Sequence, residues 1–94
     1  MKNYIQQYLS YLEIEKNYSE HTLLNYRLDL EDFQKFLDGM AFDAVDYAKL
    51  RHFLALMREK NLKPRSVARK LSSLRSFYKY LQREKILKTN HASL

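Results

Sequence analysis

The sequence predicts an all-α fold, a compact bundle of four main helices. Apolar residues recur every three or four positions over most of the chain, which is the spacing of amphipathic helices. The 94 residues include one Gly, one Pro and no Cys, so hairpin turns and a disulfide framework are not expected. A hydrophobic fraction of 46%, with eight Tyr and five Phe, supplies a core and argues against disorder.

The first two predicted helices are separated by a break at residues 17–18. The first helix spans about residues 2–16 and the second about residues 20–38. Ser19 is a suitable N-cap for the second helix, and Gly39 stands where a left-handed residue ends a helix. The apolar stripes predict these core residues: Tyr4, Ile5, Tyr8, Leu9, Leu12, Leu23, Tyr26, Leu30, Phe33 and Leu37.

A predicted loop at residues 40–45 leads to the last two helices. Asp46 can cap the third helix, about residues 47–60, and Pro64 suits the first turn of the fourth, about residues 64–85. We expect residues 1–88 to form one domain and residues 89–94 to form a tail or the start of a linker. The predicted core residues of the third and fourth helices are Tyr47, Leu50, Phe53, Leu54, Met57, Val67, Leu71, Leu74, Tyr78 and Leu81.

The charged residues are distributed unevenly along the chain. Residues 1–57 contain six basic and nine acidic residues, a net charge of −3. Residues 58–94 contain eleven basic and two acidic residues, a net charge of +9. A strongly basic half is typical of proteins that bind polyanions. The alternative is a basic surface that only increases solubility, but solubility does not require the charges to lie on one side.

The basic residues of the fourth helix are predicted to lie on one face, opposite its apolar stripe. No acidic residue occurs between Lys60 and Glu84, so ion pairs within the helix cannot offset the repulsion. This pattern favours a nucleic acid over a membrane, because membrane-surface helices place large apolar residues at the lipid boundary. Because Arg69 points outward, Arg69→Glu is expected to abolish DNA binding without loss of stability. The face comprises Arg65, Arg69, Ser72, Ser76, Lys79 and Arg83, with Ser73 at its flank and Lys63 just before the helix.

The start of the second helix carries a weaker signal. His21, Thr22 and Asn25 lie near its N-terminus, where exposed polar side chains can bind a phosphate or can simply complete the capping turn. Leu24 and Leu28 lie opposite the apolar stripe of this helix. They either pack beneath the first helix or form a docking patch for another protein.

The sequence offers no catalytic, metal or cofactor site. Its three histidines, at positions 21, 52 and 91, are scattered, and no H-E-x-x-H, P-loop, G-x-G-x-x-G or G-x-S-x-G motif is present. The acidic residues Asp29, Glu31 and Asp32 are expected to be solvated on a helix surface. No apolar run is long enough to span a membrane, and the absence of Cys fits a reducing cytoplasm.

Two segments resemble the N-terminal core-binding domain of tyrosine recombinases, in particular the Xer and phage-integrase branch. Residues 19–33, SEHTLLNYRLDLEDF, resemble the family pattern S-x-x-T-x-x-x-Y-x-x-D-L-x-x-F. Residues 66–81, SVARKLSSLRSFYKYL, resemble the last helix of the same domain. The resemblance extends to about residue 92. It implies a SAM-like helical domain that forms half of a C-shaped clamp around duplex DNA.

The resemblance also implies positions for DNA contacts. Thr22 and Asn25 would touch the DNA backbone, and Arg69, Lys70, Ser72, Ser73 and Ser76 would lie at or near the groove. Of these, Lys70 falls nearer the core edge of its helix than the others. The full set of predicted DNA-binding residues is Thr22, Asn25, Lys63, Arg65, Arg69, Lys70, Ser72, Ser73, Ser76, Lys79 and Arg83.

The expected partners follow from this family. They are double-stranded DNA at a recombination half-site and, in a full-length protein, other recombinase protomers; the isolated domain is expected to be monomeric. Two departures from the family occur. His91 rather than Pro follows Asn90, and the family's catalytic Arg, His-x-x-Arg and Tyr are absent from these residues. The chain is therefore expected to bind DNA and position a catalytic domain, not to cleave DNA itself.

Two other functions remain open from the sequence alone. A helix-turn-helix regulator would need its last two helices to be nearly perpendicular, and residues 61–63 are just long enough for the tight turn. A helical protein-interaction module would use Leu24 and Leu28 and would bind with little dependence on salt, whereas DNA binding weakens steeply with salt.

Overall fold

The structure, a computed structural model, describes residues 3–87 and contains four α-helices and one short 3₁₀ turn. The helices are α1 (Tyr4–Ile14), α2 (Glu20–Leu37), α3 (Tyr47–Glu59) and α4 (Pro64–Arg83), and the turn is Phe42–Ala44. All regular structure in this range is helical, which confirms the predicted all-α class. The predicted helix boundaries agree with the observed ones to within two residues. The predicted tail, residues 89–94, lies outside the described residues.

Side-chain caps define where the helices begin. The Ser19 hydroxyl accepts a hydrogen bond from the Thr22 N–H at 3.2 Å, and the Asp46 carboxylate accepts one from the Lys49 N–H at 2.8 Å. Both predicted N-caps are thereby confirmed. Pro64 occupies the first turn of α4, where its missing N–H removes no helical hydrogen bond.

Left-handed residues define where the helices end. Asn17 follows α1 with a φ of 54°, and Asn61 follows α3 with a φ of 62°. After α2, both Asp38 and Gly39 have positive φ, at 48° and 93°, so the left-handed conformation begins one residue before the predicted Gly39. Asn, Asp and Gly tolerate this conformation best, and their positions therefore set the lengths of the connections.

Helix α4 lies at the centre of the bundle and packs against α1, α2 and α3. The core is rich in aromatic rings: Phe33 of α2 meets Phe53 of α3 edge to face, with ring centroids 5.1 Å apart. Phe77 of α4 meets Phe42 of the 3₁₀ turn in the same way at 5.0 Å. Edge-to-face contacts add to the stabilisation that burial of these rings provides.

The buried face of α4 is rotated from the predicted one by about 40° on a helical wheel. The rotation brings Phe77, which the predicted stripe omitted, to zero exposure and also buries Lys70 and Ser73. Leu71, predicted to be in the core, is only partly buried. Tyr47, another predicted core residue, is the first residue of α3 and is 53% exposed. Its ring lies near the Arg51 guanidinium.

Residues 40–45, predicted to be a loop, contain the 3₁₀ turn and are attached to the core. The Tyr78 hydroxyl donates a hydrogen bond of 2.8 Å to the carbonyl of Phe42. Burial raises the pKa of Tyr78, so its hydroxyl keeps the proton that it donates. Val45, just after the turn, is almost fully buried. These contacts give the segment a regular shape that its sequence pattern did not predict.

A buried ion cluster joins α2 to α4; we call it the Asp29 cluster, and it comprises Asp29, Asp32, Arg69, Lys70 and Ser73. Arg69 donates to the Asp29 carboxylate from Nε at 3.1 Å and from Nη2 at 2.9 Å. Lys70 Nζ donates to Asp29 at 3.1 Å and to Asp32 at 2.8 Å, and the Ser73 hydroxyl donates to Asp29 at 2.9 Å. All four bonds to Asp29 come from one turn of α4.

The Asp29 cluster corrects two predictions. Asp29 was expected to be solvated, but its side chain is 1% exposed. Arg69 was expected to point outward and to be unnecessary for stability, but its guanidinium forms a bidentate pair with the buried carboxylate while about half of its side chain stays exposed. The physical reason is that a buried carboxylate is stable only when charged or polar donors replace water around it. Arg69 therefore contributes to folding as well as to the exposed surface.

The centre of the core provides a first test of the fold. Leu74→Ala is expected to lower the free energy of unfolding by about 2–5 kcal/mol, because Leu74 is fully buried and truncation leaves a cavity. Leu24→Ala removes the same atoms at a half-exposed position and is expected to cost less than about 1.5 kcal/mol. Urea unfolding followed by circular dichroism measures both values. Equal losses would contradict the assigned core.

Charge reversal tests the Asp29 cluster. Arg69→Glu is expected to lower the free energy of unfolding by about 1–3 kcal/mol, because it breaks the bidentate pair and places a second carboxylate beside Asp29. Arg65→Glu, one turn earlier on the exposed face, is expected to stay within about 0.5 kcal/mol of the parent. The same urea experiment compares the two variants. An Arg69→Glu variant as stable as Arg65→Glu would contradict the structural role of the pair.

Candidate nucleic-acid interface

The exposed side of α4 carries most of the predicted DNA-binding residues; we call it the α4 face. Its side chains are exposed except for Ser76, which is partly buried and hydrogen-bonded to the Tyr8 hydroxyl. Lys63 precedes the helix and is also exposed. The structure thus brings these predicted residues onto one surface: Lys63, Arg65, Arg69, Ser72, Ser76, Lys79 and Arg83.

Part of this surface is a cleft of about 230 Å³ between α2 and α4, which we call the Thr22 cleft. From α2 it is lined by Thr22 and Asn25, the two predicted contacts on that helix. From α4 it is lined by Arg69 and Ser72. The Thr22 hydroxyl accepts a hydrogen bond of 3.0 Å from the Ser19 hydroxyl, so its own proton remains available to a ligand. The remaining lining residues are Tyr26, Asp29 and Ser73.

A larger cleft of about 520 Å³ lies near the other end of α4; we call it the Lys16 cleft. Helix α4 contributes Ser76, Lys79, Tyr80 and Arg83, and the end of α1 with its following turn supplies the opposite wall. The residues of that wall are Tyr11, Leu12, Lys16 and Tyr18. Sequence reasoning did not single out Lys16 or Tyr18, because only the fold brings the α1–α2 turn next to α4.

Two predicted contacts are corrected by their burial. Lys70 and Ser73 are 5% and 2% exposed, and both donate to Asp29. Their side chains point from α4 toward α2 because the buried carboxylate requires these donors. We therefore assign Lys70 and Ser73 a structural role in holding α4, and the candidate interface no longer includes them as exposed side chains.

Two arginines of the α4 face, Arg69 and Arg83, are partly neutralised within the protein, whereas its other basic residues are not. The hydrogen bonds that Arg69 donates to the Asp29 carboxylate raise the pKa of Arg69. Arg83 donates a hydrogen bond of 3.1 Å to the Glu84 carboxylate, and this bond raises the pKa of Arg83. Within residues 3–87, no carboxylate forms an ion pair with Lys63, Arg65 or Lys79. Their charges remain available to an external anion.

The described residues show no second kind of functional site. His21 is exposed at the start of α2, and His52 lies edge-on to Phe36; His91 lies outside the described residues. Residues 3–87 hold no group of three or more His, Cys, Asp or Glu side chains placed to bind a metal. Over the same range, no helix has the length and apolar character needed to cross a membrane.

Leu24 and Leu28 face solvent. Their exposed fractions are 51% and 49%, so the alternative in which they pack beneath α1 does not hold for about half of their surface. Leu24 borders a shallow cleft of about 170 Å³ between α1 and α2, together with Leu9 and Leu23. The exposed pair stays a candidate contact for another protein.

Comparisons with known proteins agree with this structure. Residues 5–85 match the model of the family described as phage integrase, N-terminal SAM-like domain. The chain is 44% identical over 93 residues to tyrosine recombinase XerC of Bacillus licheniformis and 43% identical over 93 residues to that of Bacillus subtilis. It is 47% identical over 90 residues to tyrosine recombinase XerC of Oceanobacillus iheyensis. No solved structure matches the chain with significant similarity.

The matches cover nearly all of this chain but only part of each relative. The aligned regions include 96%, 96% and 93% of this chain but only 31%, 31% and 30% of the three relatives. The chain thus spans about a third of the length of the recombinases that it matches. The family model covers all four helices from the second residue of α1 onward, including the α4 face and both clefts. The chain therefore belongs to the phage-integrase N-terminal SAM-like domains, the N-terminal domain of tyrosine recombinases.

Proposed function

We propose that the chain is the DNA-binding core-binding domain of a tyrosine site-specific recombinase and clamps duplex DNA at a recombination half-site. The observation that carries the proposal is the α4 face, a basic helix surface that lacks carboxylates of its own and adjoins the polar start of α2. Arg, Lys and small hydroxyl side chains are the groups that contact phosphates and base edges. The names of the related recombinases support the same function.

The role of the domain within a recombinase is binding and positioning. Strand cleavage and rejoining would be carried out by a catalytic domain outside these 94 residues, and other protomers would assemble on the same DNA. The chain's own residues would hold the duplex through phosphate contacts from the α4 face and the Thr22 cleft. Phosphate contacts set orientation and register on DNA but carry little sequence information. We therefore expect the isolated domain to bind duplexes of different sequence with similar, weak affinity.

The two alternative functions have less support. The family match favours a recombinase domain over a helix-turn-helix regulator. A protein-interaction role of Leu24 and Leu28 is compatible with DNA binding, because these residues lie on the side of α2 opposite its apolar stripe and line neither the Thr22 cleft nor the Lys16 cleft. It would add a partner in the assembled recombinase without replacing DNA as the ligand.

The salt dependence of DNA binding tests the proposal. We consider the slope of the logarithm of the binding constant against the logarithm of the salt concentration, called the log–log slope. If all five cations of the α4 face and its preceding residue were unpaired, this slope would be about −4.5. Because Arg69 and Arg83 are already paired with carboxylates, the three unpaired cations Lys63, Arg65 and Lys79 set the expected minimum at about −3. Fluorescence anisotropy of a labelled duplex at several salt concentrations measures the slope. A slope near zero would exclude this mode of DNA binding.

Charge reversal on the α4 face tests which residues bind. Lys79→Glu is expected to weaken binding by at least about eightfold at 0.1 M salt and to reduce the slope by about one unit, with an unchanged melting temperature. Arg51→Glu is the matched control, because Arg51 is exposed on α3 and lines neither cleft. Anisotropy and thermal melting are measured on both variants. Equal losses of affinity would show that binding reflects total charge rather than the α4 face.

A further inference from the structure

The Lys16 cleft contains positive charge that the protein does not neutralise. Three basic side chains line it, and no carboxylate does. Arg83 is balanced by Glu84 at 3.1 Å and lies 4.0 Å from Glu15. Within residues 3–87, neither Lys16 nor Lys79 has an ion pair. Two unpaired ammonium groups on facing walls of a cleft attract an anion, because a bound anion offsets the repulsion between the two positive charges.

The position of Lys16 is set by the turn that follows α1. Asn17 adopts a left-handed conformation, and the Tyr18 N–H donates a hydrogen bond of 3.2 Å to the carbonyl of Leu12. The Tyr18 ring stacks against Tyr26 of α2, with centroids 6.0 Å apart. These contacts hold the turn against the bundle, so the backbone at Lys16 has a defined position beside the cleft.

Hydroxyl donors accompany the charges. The Tyr11 hydroxyl accepts a hydrogen bond of 2.9 Å from Arg83 Nη1, so its own proton remains available for a ligand. Desolvation raises the pKa of Tyr80, which also lines the cleft, and its hydroxyl therefore stays protonated at neutral pH. Ammonium groups together with neutral hydroxyl donors are the partners that phosphate oxygens find in protein–DNA interfaces.

The two clefts border different parts of α4. The Thr22 cleft touches α4 at residues 69–73, and the Lys16 cleft touches it at residues 76–83. The centres of these contacts are about eight residues apart, which is about 12 Å along a helix. The two clefts are therefore separate places on the same basic helix.

We propose that the Lys16 cleft binds a backbone phosphate of duplex DNA, with Lys16 and Lys79 as its charged residues and the Tyr11 hydroxyl as a donor. The inference rests on the proposed function and extends the DNA-contacting surface to the α1–α2 turn. Lys16 adds a fourth unpaired cation to the three of the α4 face and its preceding residue. The parent chain should consequently show a log–log salt slope nearer −4 than −3.

Alanine substitution of two lysines tests the inference in the 94-residue chain. Lys16→Ala is expected to reduce the slope by about 0.9 and to weaken duplex binding about eightfold at 0.1 M salt. Lys35→Ala is the matched control, since Lys35 is exposed on α2 and lines neither cleft. The control should keep the parent's slope and affinity, and both variants should melt at the parent's temperature. Anisotropy of a labelled duplex, with thermal melting, measures these values.

The outcomes separate this inference from the proposed function. If the parent binds with a steep slope but Lys16→Ala behaves like Lys35→Ala, the Lys16 site is overturned and the proposed function stands. If the parent binds no duplex, both are overturned. Inorganic phosphate is the second probe, followed by NMR shifts of the residues that line the cleft. A loss of phosphate binding in Lys16→Ala with unchanged duplex binding would show a small-anion site and overturn the DNA assignment.

Discussion

The orientation of α4 depends on the buried carboxylate of Asp29. Removing a carboxylate from water is costly, and here the cost is offset by four hydrogen bonds, three of them from cationic side chains. All four come from residues 69–73, one turn of α4. Apolar side chains can repack when a helix rotates, but a bidentate arginine pair allows only a narrow range of angles. The Asp29 cluster therefore fixes both the rotation of α4 about its axis and its register along α2.

The same cluster divides the basic residues of α4 into two groups. Lys70 and Arg69 neutralise Asp29 and Asp32, so their charges are used within the protein. Lys79, at the other end of the helix, has no such partner within the described residues. The charge that a polyanion meets is thus smaller than the number of Lys and Arg residues in the sequence, and it is concentrated at the clefts and the start of α4. The composition alone therefore overestimates the positive charge that is available to an external anion.

Local signals in the sequence were sufficient for the helices but not for the rotation of α4. Ser19 and Asp46 act through backbone groups three residues away, so the predicted caps were correct. The rotation depends instead on Asp29, which is 40 residues from Arg69. Within α4 alone, Lys70 and Ser73 have the polarity of surface residues, and only a carboxylate on another helix makes their burial favourable. The Lys16 cleft was missed for the same reason, because its walls come from distant segments.

The arrangement also explains how a domain with a basic helix face can be stable without a bound polyanion. A surface of like charges opposes folding, and its effect grows when the charges lie on one helix. Pairing Arg69 with Asp29 removes part of this repulsion, yet Arg69 Nη1 makes no hydrogen bond within residues 3–87 and half of the side chain is exposed. Asp29 uses the Nε and Nη2 edge of the guanidinium, which leaves the Nη1 donors without a partner within residues 3–87. One arginine thereby stabilises the free domain through one edge and presents preorganised donors through the other, so binding a phosphate there need not break the buried pair.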